Sequence, residues 1–212
     1  MKTKAVSGSK SSDGAVIFKV QGIGQYAVSL NARAFADLDS VPWAMDAIEQ
    51  LAAKGIIKGV FATAFNPLAP IKRADFVKFL VDTLGLNAPE AASFSDVEQS
   101  AYYAEALETA KALGIATGVG TDRFLPDAII SREDAAVFIV RALKLKQVEL
   151  TGGEIKLSNF KDESQISDYA RISMNTLVEA GLLKGSGNNL NPEGMLTRAE
   201  TAVLLYRILN LL

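Results

Sequence analysis

One phrase, repeated three times, constrains this chain more than any other feature of its sequence. Each copy has an arginine, an acid two positions later and then an apolar helical pattern. The copies are "PIKRADFVKFLVDTL" at 70–84, "IISREDAAVFIVRAL" at 129–143 and "MLTRAETAVLLYRI" at 195–208. Arginines, prolines and phenylalanines recur at the same spacings of 59 and then 66 residues: Arg73, Arg132 and Arg198; Pro67, Pro126 and Pro192; Phe35, Phe94 and Phe160. Three residue types in one register indicate three copies of one unit, with the seven extra residues near the polar linker 149–158.

Each unit has the same internal order. Phe-x-Asp opens it, an aromatic residue followed by alanine comes next, and a segment with helical periodicity follows. Serines at the start of this first helix are expected N-caps: Ser40, Ser100 and Ser167. Glycines are expected to close it in a left-handed C-terminal cap: Gly55, Gly114 and Gly181. A loop then runs to the proline, and the repeated phrase starts a second helix. Two helices in one unit cannot bury both apolar faces alone, so the three units must share a core.

The start of the third phrase predicts a capping box. The Thr197 hydroxyl can accept from the N–H at N3, and Glu200 can return to the N-cap N–H. Ser131 with Asp134 is a shorter version, and Lys72 breaks the pattern in the first phrase. Capping does not account for the arginine, because the helix dipole disfavours a positive charge in the first turn by a few tenths of a kcal/mol.

Two interpretations of the arginines stay open. In the structural one they form inter-repeat ion pairs with the aspartates of Phe-x-Asp: Asp37, Asp96 and Asp162. In the functional one the guanidinium and free N–H groups at the helix start form an anion receptor. Both can hold together. If the functional one holds, alanine at Arg132 and Arg198 should abolish binding and leave the melting temperature nearly unchanged.

Composition narrows the possible chemistry. The chain has no cysteine and no histidine, so a thiolate zinc site and a histidine general base are excluded. Its net charge of −2 argues against nucleic acid, which requires a basic face. No apolar run approaches the roughly 20 residues of a membrane helix, and no apolar signal-peptide segment is visible after Met1-Lys2-Thr3-Lys4. We therefore expect no enzyme activity, no cofactor, no metal and no membrane insertion.

These motifs in this order resemble the S-layer homology domain family, over roughly 35–212 and in three tandem copies. The resemblance rests on five motifs: Phe-x-Asp, aromatic-Ala, "AAKGIIKG", "FNP" and "LTRAE". It implies a mainly all-α fold, a pseudo-threefold arrangement of a central three-helix bundle and three helix-loop-helix prongs, with ligands in the grooves between prongs. It also implies non-covalent anchoring of an exported protein at the cell surface through a secondary cell-wall polysaccharide that ends in pyruvylated N-acetylmannosamine.

Residues at the matching motif positions are the candidate ligand-binding residues. The family's arginine corresponds to Arg73, Arg132 and Arg198, with Asp37, Asp96 and Asp162 as companions. An aromatic ring can cover the apolar face of a sugar, which makes Trp43, Tyr103 and Tyr169 candidates, with core packing as the alternative. Gly59, Gly118 and Gly185 either allow close approach of a ligand or serve ordinary turns. The cap positions complete the set: Lys72, Ser131 and Thr197.

Departures from the family pattern predict unequal grooves. Lys72 replaces the cap threonine in the first phrase. Glu133 adds a negative charge beside Arg132 in the second and is expected to weaken an anion site there.

We expect repeats at 32–89 and 90–148, and a linker with the third repeat at 149–212. The segment 1–31 is expected to be disordered or to form a β-hairpin, with "AVIFKV" and "QYAVSL" as strands, left from an upstream β-domain of a larger exported protein.

Rival functions predict other features. A helical-repeat scaffold for protein–protein interaction would expose an apolar concave face. A glycosidase needs two acids across one cleft, and the sequence singles out no such pair. A helix-turn-helix DNA reader is disfavoured by the acidic balance and the long loops.

Overall fold

The computed structural model describes residues 35–88 and 92–212, and the backbone of 10–12 and 15–17. Six α-helices lie in this part of the chain, two in each repeat: α1 Met45–Ala53, α2 Arg73–Leu84, α3 Ala104–Ala112, α4 Arg132–Leu145, α5 Asp168–Glu179 and α6 Arg198–Leu209. Short 3₁₀ helices lie at Leu38–Ser40, Leu157–Asn159 and Glu163–Gln165. The prediction of a mainly helical fold is confirmed. None of the described helices is both long and apolar enough to span a membrane.

The second helix of each repeat begins at the repeated arginine, as the capping signals predict. The Thr197 hydroxyl accepts from the N–H of Glu200 at 3.1 Å, and the Glu200 carboxylate accepts from the N–H of Thr197 at 2.9 Å. The Ser131 hydroxyl accepts from the N–H of Asp134 at 3.1 Å. Lys72 makes no side-chain cap bond. The capping box and its shorter version are confirmed.

The first helices end as predicted, but α1 and α3 begin later than predicted. Left-handed glycines follow them, with φ of 72° at Gly55, 68° at Gly114 and 67° at Gly181. Two of the three serine caps are wrong: Ser40 ends a 3₁₀ turn, and the N-cap residue of α3 is Tyr103. Ser167 occupies the N-cap position of α5, but its hydroxyl donates to Glu133 instead.

Each first helix packs on the second helix of another repeat: α3 on α2, α5 on α4, and α1 on α6. The helix α2 also contacts α4 and α6. The buried apolar side chains form one continuous cluster that draws on all six helices. The repeats therefore share a core, and no described repeat packs its two helices only against each other.

A ring of backbone hydrogen bonds joins the three segments that precede the second helices. The N–H of Ile71 donates to the carbonyl of Leu196 at 2.9 Å, and the N–H of Ile130 donates to the carbonyl of Ile71 at 3.2 Å. The N–H of Leu196 donates to the carbonyl of Ile130 at 3.4 Å, which closes the ring. All three side chains are buried. This ring brings the starts of α2, α4 and α6 together around one point.

The described backbone near the N-terminus forms a short antiparallel strand pair, β1 Lys10–Ser12 with β2 Ala15–Ile17. The predicted strand "AVIFKV" begins at β2, but its described partner precedes it in the chain. The other predicted strand, "QYAVSL" at 25–30, lies outside the described residues.

Candidate ligand-binding grooves between repeats

The repeated arginine of each second helix is buried and binds the loop of the following repeat. Arg198 is 7% exposed, and it donates from Nε to the carbonyl of Phe65 at 2.8 Å and from Nη2 to the carbonyl of Lys58 at 2.7 Å. Its guanidinium also lies over the Phe65 ring, 4.5 Å from the centroid. Arg132 repeats this pattern with the carbonyls of Leu190 at 2.8 Å and Lys184 at 2.9 Å.

Acids of the second helices pair with these arginines. Arg73 Nη1 lies 2.7 Å from Asp134 Oδ2, and Arg132 Nη1 lies 3.0 Å from Glu200 Oε1. Asp75 has a favourable electrostatic interaction with Arg198. The structural interpretation was therefore right about inter-repeat ion pairs for Arg73 and Arg132, but their closest partners are acids of the second helices. The predicted aspartates Asp162 and Asp37 have only weaker favourable electrostatic interactions, with Arg132 and Arg198.

The helix starts offer no free N–H groups at their first two positions. The backbone N–H groups of Arg132 and Glu133 donate to the carbonyls of Gly194 and Pro192, each at 3.0 Å. The backbone N–H groups of Arg198 and Ala199 donate to carbonyls of the first repeat, those of Ala69 and Pro67, each at 2.9 Å. The corresponding groups of α2 donate to the carbonyls of Ala128 and Pro126. The expectation of free helix-start donors is wrong, because the loop of the following repeat occupies them.

The aspartates of Phe-x-Asp also bind backbone. Asp162 accepts from the N–H groups of Leu190 at 2.9 Å and Asn191 at 2.7 Å. Asp37 and Asp96 make the same pair of bonds in their own repeats. Partial burial works against ionisation of these carboxyls, but the backbone donors outweigh it and the pKa of each lies below its ordinary value. These aspartates therefore hold their own loops, with the carboxylate already occupied.

A cavity of about 530 Å³ lies between the second and third repeats. One residue of the second repeat and ten of the third line it: Arg132, Asp162, Gln165, Lys184, Gly185, Ser186, Asn189, Leu190, Asn191, Met195 and Glu200. Three of the predicted site residues, Arg132, Asp162 and Gly185, meet there. Hydroxyl, carboxamide and charged side chains dominate the lining, as a polar ligand requires.

Two of the three predicted aromatic residues are exposed, but in the second repeat the exposed ring is the neighbour of the predicted one. Trp43, Tyr102 and Tyr169 are 58%, 67% and 60% exposed, whereas Tyr103 is half-buried against Tyr102. The Tyr169 hydroxyl donates to Asp134 at 2.8 Å, and the Tyr102 hydroxyl donates to the equivalent Asp75.

Tyr102 is therefore the residue that sequence reasoning missed. The 59-residue spacing from Trp43 indicates it directly, whereas the following alanine misleadingly favoured Tyr103.

Close packing explains the three loop glycines. A Cβ on Gly185 would lie 2.5 Å from the Phe160 ring and 2.5 Å from the carbonyl of Asn189. Gly59 and Gly118 face the equivalent phenylalanines at 2.6 Å and 2.9 Å. The phenylalanine of Phe-x-Asp therefore fills the space beside each glycine.

Two departures from the family pattern have structural roles. The Glu133 carboxylate is buried and accepts from the Ser167 N–H at 3.0 Å, the Ser167 hydroxyl at 2.8 Å and the Tyr169 hydroxyl at 3.1 Å. Its negative charge therefore interacts with donors at the start of α5. Lys72 pairs with Asp127 at 2.7 Å, and this partner raises the pKa of the lysine.

The parts of the chain that the structure describes bring together no group of three or more acids that could hold a metal ion.

Three segments, 34–77, 93–136 and 159–202, match the family model described as the S-layer homology domain. An amylopullulanase from Thermoanaerobacterium thermosulfurigenes is 32% identical over 200 residues, which is 93% of this chain and 11% of the relative. A surface-layer 125 kDa protein from Lysinibacillus sphaericus is 33% identical over 78% of this chain and 14% of the relative. An exoglucanase XynX from Acetivibrio thermocellus is 33% identical over 79% of this chain and 15% of the relative. The chain thus spans less than a fifth of the length of these relatives.

Proposed function

Because this chain belongs to the S-layer homology domain family, we propose that it anchors a larger protein by binding an anionic wall polysaccharide between its repeats. The family and the surface-layer relatives indicate a binding module at the cell surface. The proposed ligand is a secondary cell-wall polysaccharide that ends in pyruvylated N-acetylmannosamine.

The observation that carries this proposal is the polar cavity between the second and third repeats. Its volume of about 530 Å³ is within the range of small-molecule sites and accommodates one or two sugar rings. The side chains of Gln165, Asn189 and Asn191 can donate to and accept from sugar hydroxyls and an N-acetyl group. Arg132 uses three of its five N–H groups within the chain, which leaves two for a ligand.

We expect the chain itself not to catalyse glycoside hydrolysis. The acids of the cavity are both engaged: Asp162 holds two backbone N–H groups, and Glu200 caps its helix and pairs with Arg132. A glycosidase requires one acid that gives up its proton and a second that is available as base or nucleophile. The relatives named as glycosidases match this chain through a small share of their length, so their activities do not transfer to it.

The protein–protein scaffold remains the alternative function. It requires a continuous apolar face, and the lining of this cavity is mainly polar.

A calorimetric titration with purified pyruvylated wall polysaccharide tests the proposal. We expect binding, and at least tenfold weaker binding, about 1.4 kcal/mol, after pyruvate is removed from the polymer. Equal binding of the two polymers, or no binding of either, would contradict the proposal.

A variant whose cavity is blocked provides a second test of the proposal. Ser186→Trp places an indole in the cavity and should remove one binding site per chain. Ser186→Val is the matched control, because valine stands at the equivalent positions Val60 and Val119.

A further inference from the structure

We infer that the ammonium group of Lys184, and not the guanidinium of Arg132, supplies the positive charge that binds an acidic sugar in the cavity between the second and third repeats. This inference rests on the proposed function and assigns the residue that discriminates an acidic sugar from a neutral one.

Arg132 is already neutralised. Its Nη1 lies 3.0 Å from Glu200 Oε1, and its Nε and Nη2 donate to the carbonyls of Leu190 and Lys184. A second carboxylate brought to this arginine would meet Glu200, whose negative charge opposes it. Arg132 can therefore donate hydrogen bonds to a sugar, but its net attraction for an anion is small.

The second acid of the cavity is also accounted for. Asp162 keeps its negative charge, because the N–H groups of Leu190 and Asn191 hold its carboxylate and lower its pKa despite partial burial. The cavity thus contains Arg132 paired with Glu200, and Asp162 bound to backbone. Among the described residues that line the cavity, the remaining charged one is Lys184.

Lys184 is placed to serve as the unpaired cation. Its carbonyl accepts from Arg132 Nη2 at 2.9 Å, which fixes its backbone at the wall of the cavity. Its side chain is exposed, and within 35–88 and 92–212 its ammonium has no ion pair and no hydrogen bond. A lysine side chain is flexible and carries three rotatable donors, so its ammonium can follow a carboxylate across the cavity.

The repeats differ at this position. Lys58 is its equivalent in the first repeat, and its carbonyl accepts from Arg198 Nη2 at 2.7 Å. Thr117 stands there in the second repeat. The nearby cation of that repeat, Arg123, lies 3.8 Å from Asp96 Oδ2. Among the described residues, neither Lys58 nor Lys184 has an ion pair, so the groove of each is expected to bind the acidic sugar tightly. The groove between the first and second repeats, where Thr117 stands, is expected to bind it weakly.

Calorimetry with two small probes tests the inference: the methyl glycoside of 4,6-pyruvylated N-acetylmannosamine and the same glycoside without pyruvate. For the unmodified chain we expect two tight sites for the acidic sugar. Lys184→Thr, which copies the middle repeat, should leave one tight site and weaken the other about tenfold. The double variant Lys58→Thr/Lys184→Thr should leave none, and neither change should alter binding of the neutral sugar.

Matched controls separate charge from structure. Lys184→Arg should keep the tight site, and Lys144→Thr, an exposed lysine on α4 that does not line the cavity, should change nothing. The difference between the acidic and the neutral sugar should also shrink as salt is raised.

Three results would count against these ideas in distinguishable ways. No binding of the acidic sugar by the unmodified chain would overturn the proposed function together with this inference. Unchanged tight binding by Lys184→Thr would overturn the inference and leave the proposed function standing. An equal loss of affinity for both sugars in Lys184→Thr would also overturn the inference, because the lysine would then act without regard to the charge of the ligand.

Discussion

Replacing Arg198 with alanine should destabilise the fold strongly. This is the opposite of the small effect on melting temperature that the anion-receptor interpretation predicts. Arg198 comes from the third repeat, while both carbonyls that it binds, those of Phe65 and Lys58, belong to the first. The change therefore removes a contact between the two ends of the repeat array.

The expected magnitude follows from these contacts. A hydrogen bond from a charged donor contributes about 1.5–3 kcal/mol, and Arg198 makes two to backbone carbonyls. The stacked Phe65 ring contributes about 1 kcal/mol more. Removing the arginine also removes the cost of burying its charge, which offsets part of the loss. We expect a decrease of about 3–5 kcal/mol in the free energy of unfolding, a large share of the roughly 5–15 kcal/mol of a typical domain.

Urea unfolding followed by circular dichroism at 222 nm measures this decrease. At about 2–4 °C per kcal/mol for a chain of this size, the melting temperature should fall by roughly 10 °C. Arg171→Ala is the control, because Arg171 is a more exposed arginine paired with Glu163 and should cost less than about 1 kcal/mol. A value for Arg198→Ala within 1 kcal/mol of the unmodified chain would refute the reasoning.

Three further predictions concern the loops. The aspartates of Phe-x-Asp have a lowered pKa, so the stability that they contribute is complete above their ordinary pKa of about 3.8 and is lost as the pH falls through the pKa of the folded state. The urea midpoint should therefore hold down to about pH 4 and then drop. If the midpoint of Asp162→Asn drops by as much as that of the unmodified chain, the reasoning is contradicted. Gly185→Ala should lower the free energy of unfolding by about 2 kcal/mol or more in thermal melting, because the new Cβ would meet the Phe160 ring. Gly187→Ala has open space around its Cβ and should lower it by about 1 kcal/mol, because of its φ of 57°. Similar losses for the two variants would refute the packing argument. Leu125→Asn should stabilise by about 0.5–1 kcal/mol in urea titrations, because Leu125 has a φ of 58° where the other repeats have asparagine; a loss would show that its side-chain packing outweighs the strain.

The sequence predicted correctly most features that depend on neighbours a few residues apart, although Ser40 and Ser100 are not the caps that they were predicted to be. The capping box of Thr197 and Glu200 spans three residues, and Gly55 ends a helix because of its own backbone conformation. Repetition added one long-range prediction, the shared core, because two amphipathic helices in one unit leave apolar faces without a partner.

Residues of the candidate site were predicted as a set but not in their roles. Arg132, Asp162 and Gly185 do meet at one cavity. The sequence could not show that Glu200 neutralises the arginine, nor that Lys184 lines the same cavity without an ion pair in the described part of the chain, because both come from another repeat. The one-position error at Tyr103 arose because the alanine that begins α3 directly follows Tyr103, whereas the exposed ring belongs to Tyr102, one residue earlier.

By itself, then, the sequence determined the number of repeats, their helices and most helix ends, since short-range hydrogen bonds and periodicity govern these. Only the tertiary structure decided where each arginine donates, because a guanidinium and helix-start N–H groups satisfy themselves with whichever acceptors folding brings near. Here these acceptors are the loop carbonyls of the following repeat, more than 50 residues away, and no local pattern identifies them.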